Sequence, residues 1–240
     1  MRAEPPVEVR WPQPVVRVTF RARLNRFAVE AEGPAGPMRL HLPNSGRMSE
    51  LLVPGTPGLA HLAPRPETRT AGVLLAVRHG GRWVGVDARV PNRMLAAALD
   101  REALAPFRGY RVAQREVPLG TTRVDFLLEG PAGRCWLETK SCNRVDDGVA
   151  LFPDAPTARG ARHLRYLAEA AQQGQRCAVV WIVQRDDPLA LRPFAEADPD
   201  FARAVAEAAR AGVELYAYRC WVTEEGVRLD GDIPVRVPGV

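Results

Sequence analysis

The sequence predicts a two-part α/β (α+β) protein, an all-β first third followed by a mixed α/β remainder. Three observations carry that expectation. Up to about residue 90 the apolar residues fall in short β-rich runs cut by Gly/Pro turns, with no sustained helical period. At Pro91 the pattern changes, and NRMLAAALDREAL spaces its apolar residues as a helix does. Charge divides at the same place. Residues 1–90 hold 13 Arg against 7 acidic residues, a net of +6, whereas residues 91–240 hold 20 basic against 21 acidic, a net of −1. The expected domains are therefore 1–90 and 91–240, and 240 residues suffice to bury a core in each. An excess of positive charge in the first part favours a polyanionic partner there.

In the first part the strand-like runs are PVVRVTF (14–20), RFAVEAE (26–32), MRLHL (38–42), AGVLLAVRH (71–79) and RWVGVDA (82–88), with turns at GPAGP and PGTPG and a turn around SELL. Short strands at this spacing suggest a small barrel or sandwich. The preceding MRAEPPVEVRWPQP reads as an arm leading into the first strand. It has acids and prolines where a signal peptide has an apolar run, and no stretch of the chain reaches the roughly 18–20 apolar residues that cross a bilayer. A cytoplasmic protein without a membrane partner is expected. Cys135, Cys142, Cys177 and Cys220 lie in or beside apolar segments with no CxxC spacing, which favours reduced core thiols over a zinc site.

In the second part, the helix from residue 92 leads to three strand-like segments, YRVAQREV (110–117), TTRVDFLLE (121–129) and RCWLETKS (134–141), joined by hairpin-like PLG and GPAG. Asp154-Ala-Pro-Thr starts a long helix, roughly Thr157 to Gln173. CAVVWIVQ (177–184) is a continuous apolar run of the kind buried central strands show. A helix near 196–211 and a last strand, VELYAYRCWV, follow.

The chemistry is read from three residues. Of 33 basic residues 32 are Arg, and the one lysine is Lys140. A planar, permanently charged guanidinium does not replace a compact ammonium, so a position that keeps Lys in an all-Arg chain points to a need for that group. Glu138 stands two residues before it, on the same face if the segment is a strand. Asp125 is the one acid within an apolar strand pattern, and a hairpin around Gly130–Gly133 would bring it near Glu138. Two carboxylates that close raise each other's pKa unless a cation sits between them. Mg2+ (or Mn2+) suits such a site, taking one or two carboxylates and keeping room for water and phosphate oxygens. The metal polarises a phosphodiester and activates water, while the ammonium orients that water or stabilises developing charge. Glu116, closing the preceding strand, is a candidate third metal ligand. The pattern is that of a nuclease. The alternative, a solvated Glu–Lys pair on a surface hairpin, fits poorly with Val124, Phe126, Leu127 and Leu128 around Asp125. No GxxxxGK, HExxH, GxSxG or GxGxxG is present.

HLPNSGRMSELLVPG (41–55), NRF (25–27), REVPLGTTRVDFLLE (115–129), ETKS (138–141), FPDAPTARGARHL (152–164) and VQRDD (183–187) together resemble the motifs of the sugar fermentation stimulation protein (SfsA) family, in order and over nearly the whole chain. The resemblance implies an N-terminal OB-like β-barrel, a C-terminal three-layer α/β domain like the PD-(D/E)xK nucleases, and DNA binding with a regulatory role in sugar metabolism. It also implies metal ligation by Asp125 and Glu138, Lys140 as the catalytic lysine and Glu116 as auxiliary acid. Thr139 and Cys142-Asn143 stand where the family more often has Val and Val-Thr, and Val124 where it has Pro. The middle residue of the ExK motif offers only its backbone carbonyl, so the exchange at Thr139 leaves the motif's chemistry intact.

For nucleic-acid contact, an OB-like barrel would use a basic groove and aromatic platforms. The candidates are Arg21, Arg23, Arg26, Asn44 and Arg47, with Phe27 and Trp83 as core residues or stacking platforms, and Asn44-Ser45-Gly46-Arg47 as a turn able to approach a backbone closely. Arg159 and His163, four apart at a helix start, are read either as a phosphate clamp or as ordinary surface with Asp154 as the cap. Two functional classes follow. One is a metal-dependent nuclease acting on DNA, single-stranded or duplex and without sequence preference. The other is a non-catalytic DNA-binding regulator on a nuclease-like scaffold. A homodimer is a candidate assembly for either.

Overall fold

The computed structural model of the protein describes residues 6–63 and 69–239. Its first strand, β1 (Glu8–Arg10), corrects the reading of the N-terminal segment as an arm. β1 pairs antiparallel with the last strand of the chain, and Trp11 Nε1 donates to the Thr223 carbonyl at 2.9 Å beside it.

β2 (Val15–Asn25), β3 (Ala28–Gly33), β4 (Gly36–His41), β5 (Pro57–Leu62), β6 (Gly72–His79) and β7 (Arg82–Gly85) form a sheet in the order β4-β3-β2-β5-β6-β7. A further pairing of β4 with β6 closes β2–β6 into a five-stranded barrel, the expected OB-like fold. Alternate residues fill it, among them Val18, Phe20, Val29, Ala31, Leu40, Leu74 and Val77. The SELL turn closes one opening, with Leu51 N–H on the Met48 carbonyl at 3.0 Å and both side chains wholly buried.

The second part begins with α1 (Val90–Asp100), which has Pro91 in its first turn where a missing N–H costs nothing. β8 (Arg111–Leu119), β9 (Thr122–Gly130) and β10 (Gly133–Cys142) make the expected meander. Then come β11 (Val145–Asp146), β12 (Val149–Phe152), α2 (Ala158–Gln172), β13 (Arg176–Val183), β14 (Ala190–Pro193), α3 (Pro199–Arg210), β15 (Glu214–Val222) and β16 (Gly226–Ile233). The large sheet runs β1-β16-β15-β13-β10-β9-β8, with β10, β13 and β15 mutually parallel; β11-β12-β14 form a small separate sheet. On β13 the alternation sorts the faces. Cys177, Val179, Trp181 and Val183 pack with α2 and α3, whereas Ala178, Val180 and Ile182 pack with α1. Helix, sheet and helices thus form three layers, as the sequence predicts. None of the described helices is long and apolar enough to cross a membrane.

Three sets of contacts frame the site. Leu59, Leu75 and Ala76 of the barrel share a core with α1 and the adjoining sheet face, so the two parts are packed together. Gln184, fully buried, donates through Nε2 to the Asp87 carbonyl and to Ser141 Oγ, both at 3.1 Å. At the other side Phe152 packs edge-on against Trp181 and Phe201, anchoring the segment that leads into α2.

Candidate functional site

The ladder between β9 and β10 runs from Gly130↔Gly133 to Phe126↔Leu137 and stops there, although both strands continue. β9 stays on β8 as far as Thr122, and β10 stays on β13 as far as Cys142. At the point of divergence the Asp125 side chain takes over. Its Oδ2 accepts the Thr139 N–H at 2.7 Å and its Oδ1 accepts Asn92 Nδ2 from α1 at 2.9 Å. Glu138 and Lys140 lie next along β10, both buried. Lys140 Nζ donates to Glu138 Oε1 at 2.5 Å, and His163 Nδ1 reaches the same oxygen at 2.5 Å. The other nitrogen of His163, Nε2, lies 3.2 Å from Arg159 Nε, which donates to it.

Burial, and then the charge of Glu138, push the Asp125 carboxyl up to about 6, against the pull of the Thr139 and Asn92 hydrogen bonds and of Lys140. Burial acts on Glu138 in the same direction, but the Lys140 ammonium and the hydrogen bond from His163 outweigh it and hold that carboxyl below its usual range. The second oxygen of Glu138, Oε2, is buried without a hydrogen-bond partner among the described residues. A divalent cation suits this arrangement, since it relieves the repulsion at Asp125 and supplies the contact that Oε2 lacks. Among the described residues no three His, Cys, Asp or Glu side chains group together as a metal cage. Two carboxylates with open positions match magnesium's habit of keeping its waters; they do not match a structural zinc site.

The structure brings Asp125, Glu138 and Lys140 together, with Glu116 across from Asp125 on β8. Glu116 is exposed, in a left-handed conformation with φ 51°, between the Arg115↔Phe126 and Val117↔Val124 pairs that bracket Asp125. It makes none of the site's hydrogen bonds. His163 is corrected too: it is no surface phosphate clamp but is buried on Glu138, with both ring nitrogens engaged. Arg159 remains exposed beside it. Thr157, not Asp154, caps α2, accepting Gly160 N–H at 3.1 Å. Asp154 instead crosses to the barrel and accepts Met48 N–H at 3.0 Å. Sequence reasoning missed Asn92, whose only signal is an amide in the first turn of an otherwise apolar helix.

Several barrel candidates turn out to build loops. Arg23 donates to the carbonyls of Gly46 and Arg47 at 2.7 Å and of Arg26 at 2.9 Å, stapling two turns together. Asn44 holds Gly46 N–H at 2.9 Å and the Val86 carbonyl at 3.1 Å. The close approach at Gly46 is to Asp154, whose carboxylate oxygens would lie 2.6 Å from a Cβ there. These engagements commit Arg23 and Asn44 to building the turns beside the cleft. Arg23→Ala is expected to cost about 2 kcal/mol, since it strips several carbonyls of a charged donor. A fall in melting temperature of roughly 4–8 °C would be seen by scanning calorimetry; an unchanged transition would show that the turns hold without it. Arg21 pairs with Glu32 at 3.6 Å. Arg47 is exposed, as is Arg26, which sits 5.5 Å over the ring of Phe27. Phe27 is 47% exposed, a surface ring, whereas Trp83 is half-buried beneath Arg78. Arg26, Phe27 and Ser45 from the barrel face Lys140, Asn143 and Arg159 across a cleft of about 690 Å³.

Comparison with known proteins agrees with this layout. Residues 22–86 match the family model described as the SfsA N-terminal OB domain, and residues 89–226 match the sugar fermentation stimulation protein RE domain. The chain is 46% identical over 224 residues to the sugar fermentation stimulation protein homolog of Chloroflexus aurantiacus, covering 92% of this chain and 86% of that one. It is 42% identical over 233 residues to the homolog of Moorella thermoacetica, covering 95% and 100%. Among solved structures, Pyrococcus furiosus SfsA, determined in complex with Ca2+, superposes with a TM-score of 0.88 at 28% identity, covering 94% of this chain and 97% of that one. With both parts matched in order and relatives aligned over almost its full length, the chain belongs to the sugar fermentation stimulation protein (SfsA) family.

Proposed function

We propose that this chain is a divalent-metal-dependent nuclease that hydrolyses phosphodiester bonds of DNA in the cytoplasm, with residues 1–90 positioning the strand and 91–240 carrying the chemistry. The observation that carries the reading is half-buried Asp125 beside buried Glu138, whose Oε2 has no partner among the described residues, next to the chain's single lysine. A scaffold that only binds DNA has no need to bury two carboxylates together. The Ca2+ held by the Pyrococcus furiosus relative supports a divalent cation here.

Asp125 and Glu138 would hold Mg2+ or Mn2+, which when bound supplies Lewis acidity to a phosphoryl oxygen. The rest falls to the chain's own residues. Asn92 and the Thr139 amide fix both oxygens of Asp125. His163 and Lys140 fix Oε1 of Glu138 and leave Oε2 for the cation. The Lys140 ammonium stands where negative charge develops as the phosphodiester is attacked, and low exposure keeps its field from being screened by water.

The direct test incubates the purified protein with labelled single-stranded and nicked duplex DNA, with and without Mg2+ or Mn2+. Cleavage only with metal is the expected result. Salt-sensitive binding without turnover in any metal would overturn it in favour of a DNA-binding regulator. A second expectation needs no substrate. Ca2+ or Mg2+ should raise the melting temperature of the wild type and leave Asp125→Ala unmoved, because a ligand stabilises only the state that binds it. Equal responses would place the cation elsewhere.

A further inference from the structure

Next to the cleft that holds Lys140 lies a second hollow of about 490 Å³, formed by the β8–β9 turn and the start of α2. Arg123, Arg159 and Arg162 line it together with Thr121 and Thr122, and no carboxylate does. Arg159 also lines the Lys140 cleft, so the two spaces share a wall.

The charge in this hollow is uncompensated. Arg123 and Arg162 are exposed and have no ion pair or hydrogen bond among the described residues. Arg159 spends only its Nε, on His163, which leaves its two terminal nitrogens available. Elsewhere on the same helix Arg165 is neutralised by Asp200 at 2.6 Å, and on the same sheet Arg111 by Glu129 at 2.7 Å. Three guanidiniums gathered without a counter-charge repel one another until an anion arrives, and their planar forks match phosphate oxygens.

The hollow is also held in shape. Gly120, at φ 58°, lies against the Tyr166 ring so closely that a Cβ would collide with it, and the Thr121 hydroxyl meets Tyr166 Oη at 2.8 Å. The tip of the β8–β9 hairpin is thereby seated on α2, and Arg123 is set against Arg159 and Arg162. Through Arg159, His163 and Glu138 the hollow is tied by hydrogen bonds to the site itself.

We infer that this hollow is a phosphate subsite, which takes a phosphate of the nucleic-acid strand adjoining the phosphodiester held at Asp125, Glu138 and Lys140. The inference rests on the reading of the chain as a nucleic-acid enzyme. The phosphate is either internal to the strand or at its end, and the guanidiniums recognise both by the same oxygens.

The test measures equilibrium binding of a labelled oligonucleotide, single-stranded and duplex, with a 5′-phosphate or a 5′-hydroxyl, without Mg2+ so that no strand is consumed. Wild type is compared with the double variant Arg123→Ala/Arg162→Ala. The charge-matched control is Arg108→Ala/Arg210→Ala, which removes two unpaired arginines outside both hollows. All four substituted side chains are exposed, and matching thermal melts verify the fold. The double variant is expected to bind about tenfold or more weakly and to lower the slope of log K against log salt by about 1, with the control close to wild type. A preference of the wild type for the 5′-phosphate, lost in the double variant, would assign the hollow to a strand end; equal binding of both ends, with the same loss, would assign it to an internal phosphate. Equal behaviour of the double variant and the control would overturn the subsite while leaving the nuclease reading intact. A wild type that binds none of the oligonucleotides would overturn both.

Discussion

Lys140→Ala is expected to slow metal-dependent DNA cleavage by about 10³-fold or more, with DNA affinity little changed. The ammonium is bonded to Glu138 Oε1 at 2.5 Å and almost out of solvent. It contributes little to holding a strand in the ground state and much where charge builds in the transition state. Removal of one preorganised donor of this kind typically costs 10²–10³ in rate. Here the loss extends further, because Glu138 forfeits a partner and with it part of its fixed geometry. Lys140→Arg is not a rescue: the guanidinium is wider, and its planar fork does not fit a niche shaped for a compact ammonium. Single-turnover cleavage beside binding isotherms separates the two effects, and retained cleavage in both Lys140→Ala and Asp125→Ala would sink the nuclease assignment.

Asp125→Asn is expected to abolish cleavage and yet make the metal-free protein more stable at neutral pH. The sign follows from the carboxyl's titration, near 3.8 when unfolded and about 6 when folded. Below pH ~4 the group is protonated in both states and adds no penalty. As pH rises through the folded value, the native state must ionise a buried carboxyl beside Glu138, and the stability that the proton conferred is lost. The penalty at pH 8 is on the order of 3 kcal/mol. Asparagine never ionises; its oxygen keeps the Thr139 N–H, and Asn92 can turn its amide to accept from the new one. In EDTA at pH 8 the variant should melt roughly 6–12 °C above wild type, and the difference should close as pH falls toward 4. A variant less stable at every pH would show that the charged carboxylate's hydrogen bonds exceed the cost of burying it.

Much of this was legible before any coordinates. The meander around Asp125 and Glu138 could be placed because alternating apolar residues and two tight turns leave little freedom of register. Lys140 stood out by composition alone. The readings that failed share a cause: they concern partners distant in sequence. His163 looked like surface because its helix start is polar, and nothing local reveals that Glu138, 25 residues earlier, waits behind it. Arg23 looked like a phosphate ligand because loop carbonyls leave no mark in a sequence. β5, PGLAHL, was passed over because Pro, Gly and Ala are weak strand formers; its place comes from pairing with β2 on one side and β6 on the other. β1 is three residues long and has its partner at the opposite end of the chain.

That last pairing bears on the order in which the protein is made. Residues 8–10 leave the ribosome long before the strand that receives them, Gly226–Ile233. The barrel has all its strands within residues 15–85 and can close while synthesis continues. The seven-stranded sheet cannot gain its outer edge until Gly226–Ile233 has been made, so residues 8–10 must stay unpaired until then. A chain stopped short of residue 226 would keep a folded barrel but leave β15 as a bare edge, whereas a second domain expressed from residue 91 alone would leave β16 uncovered by β1.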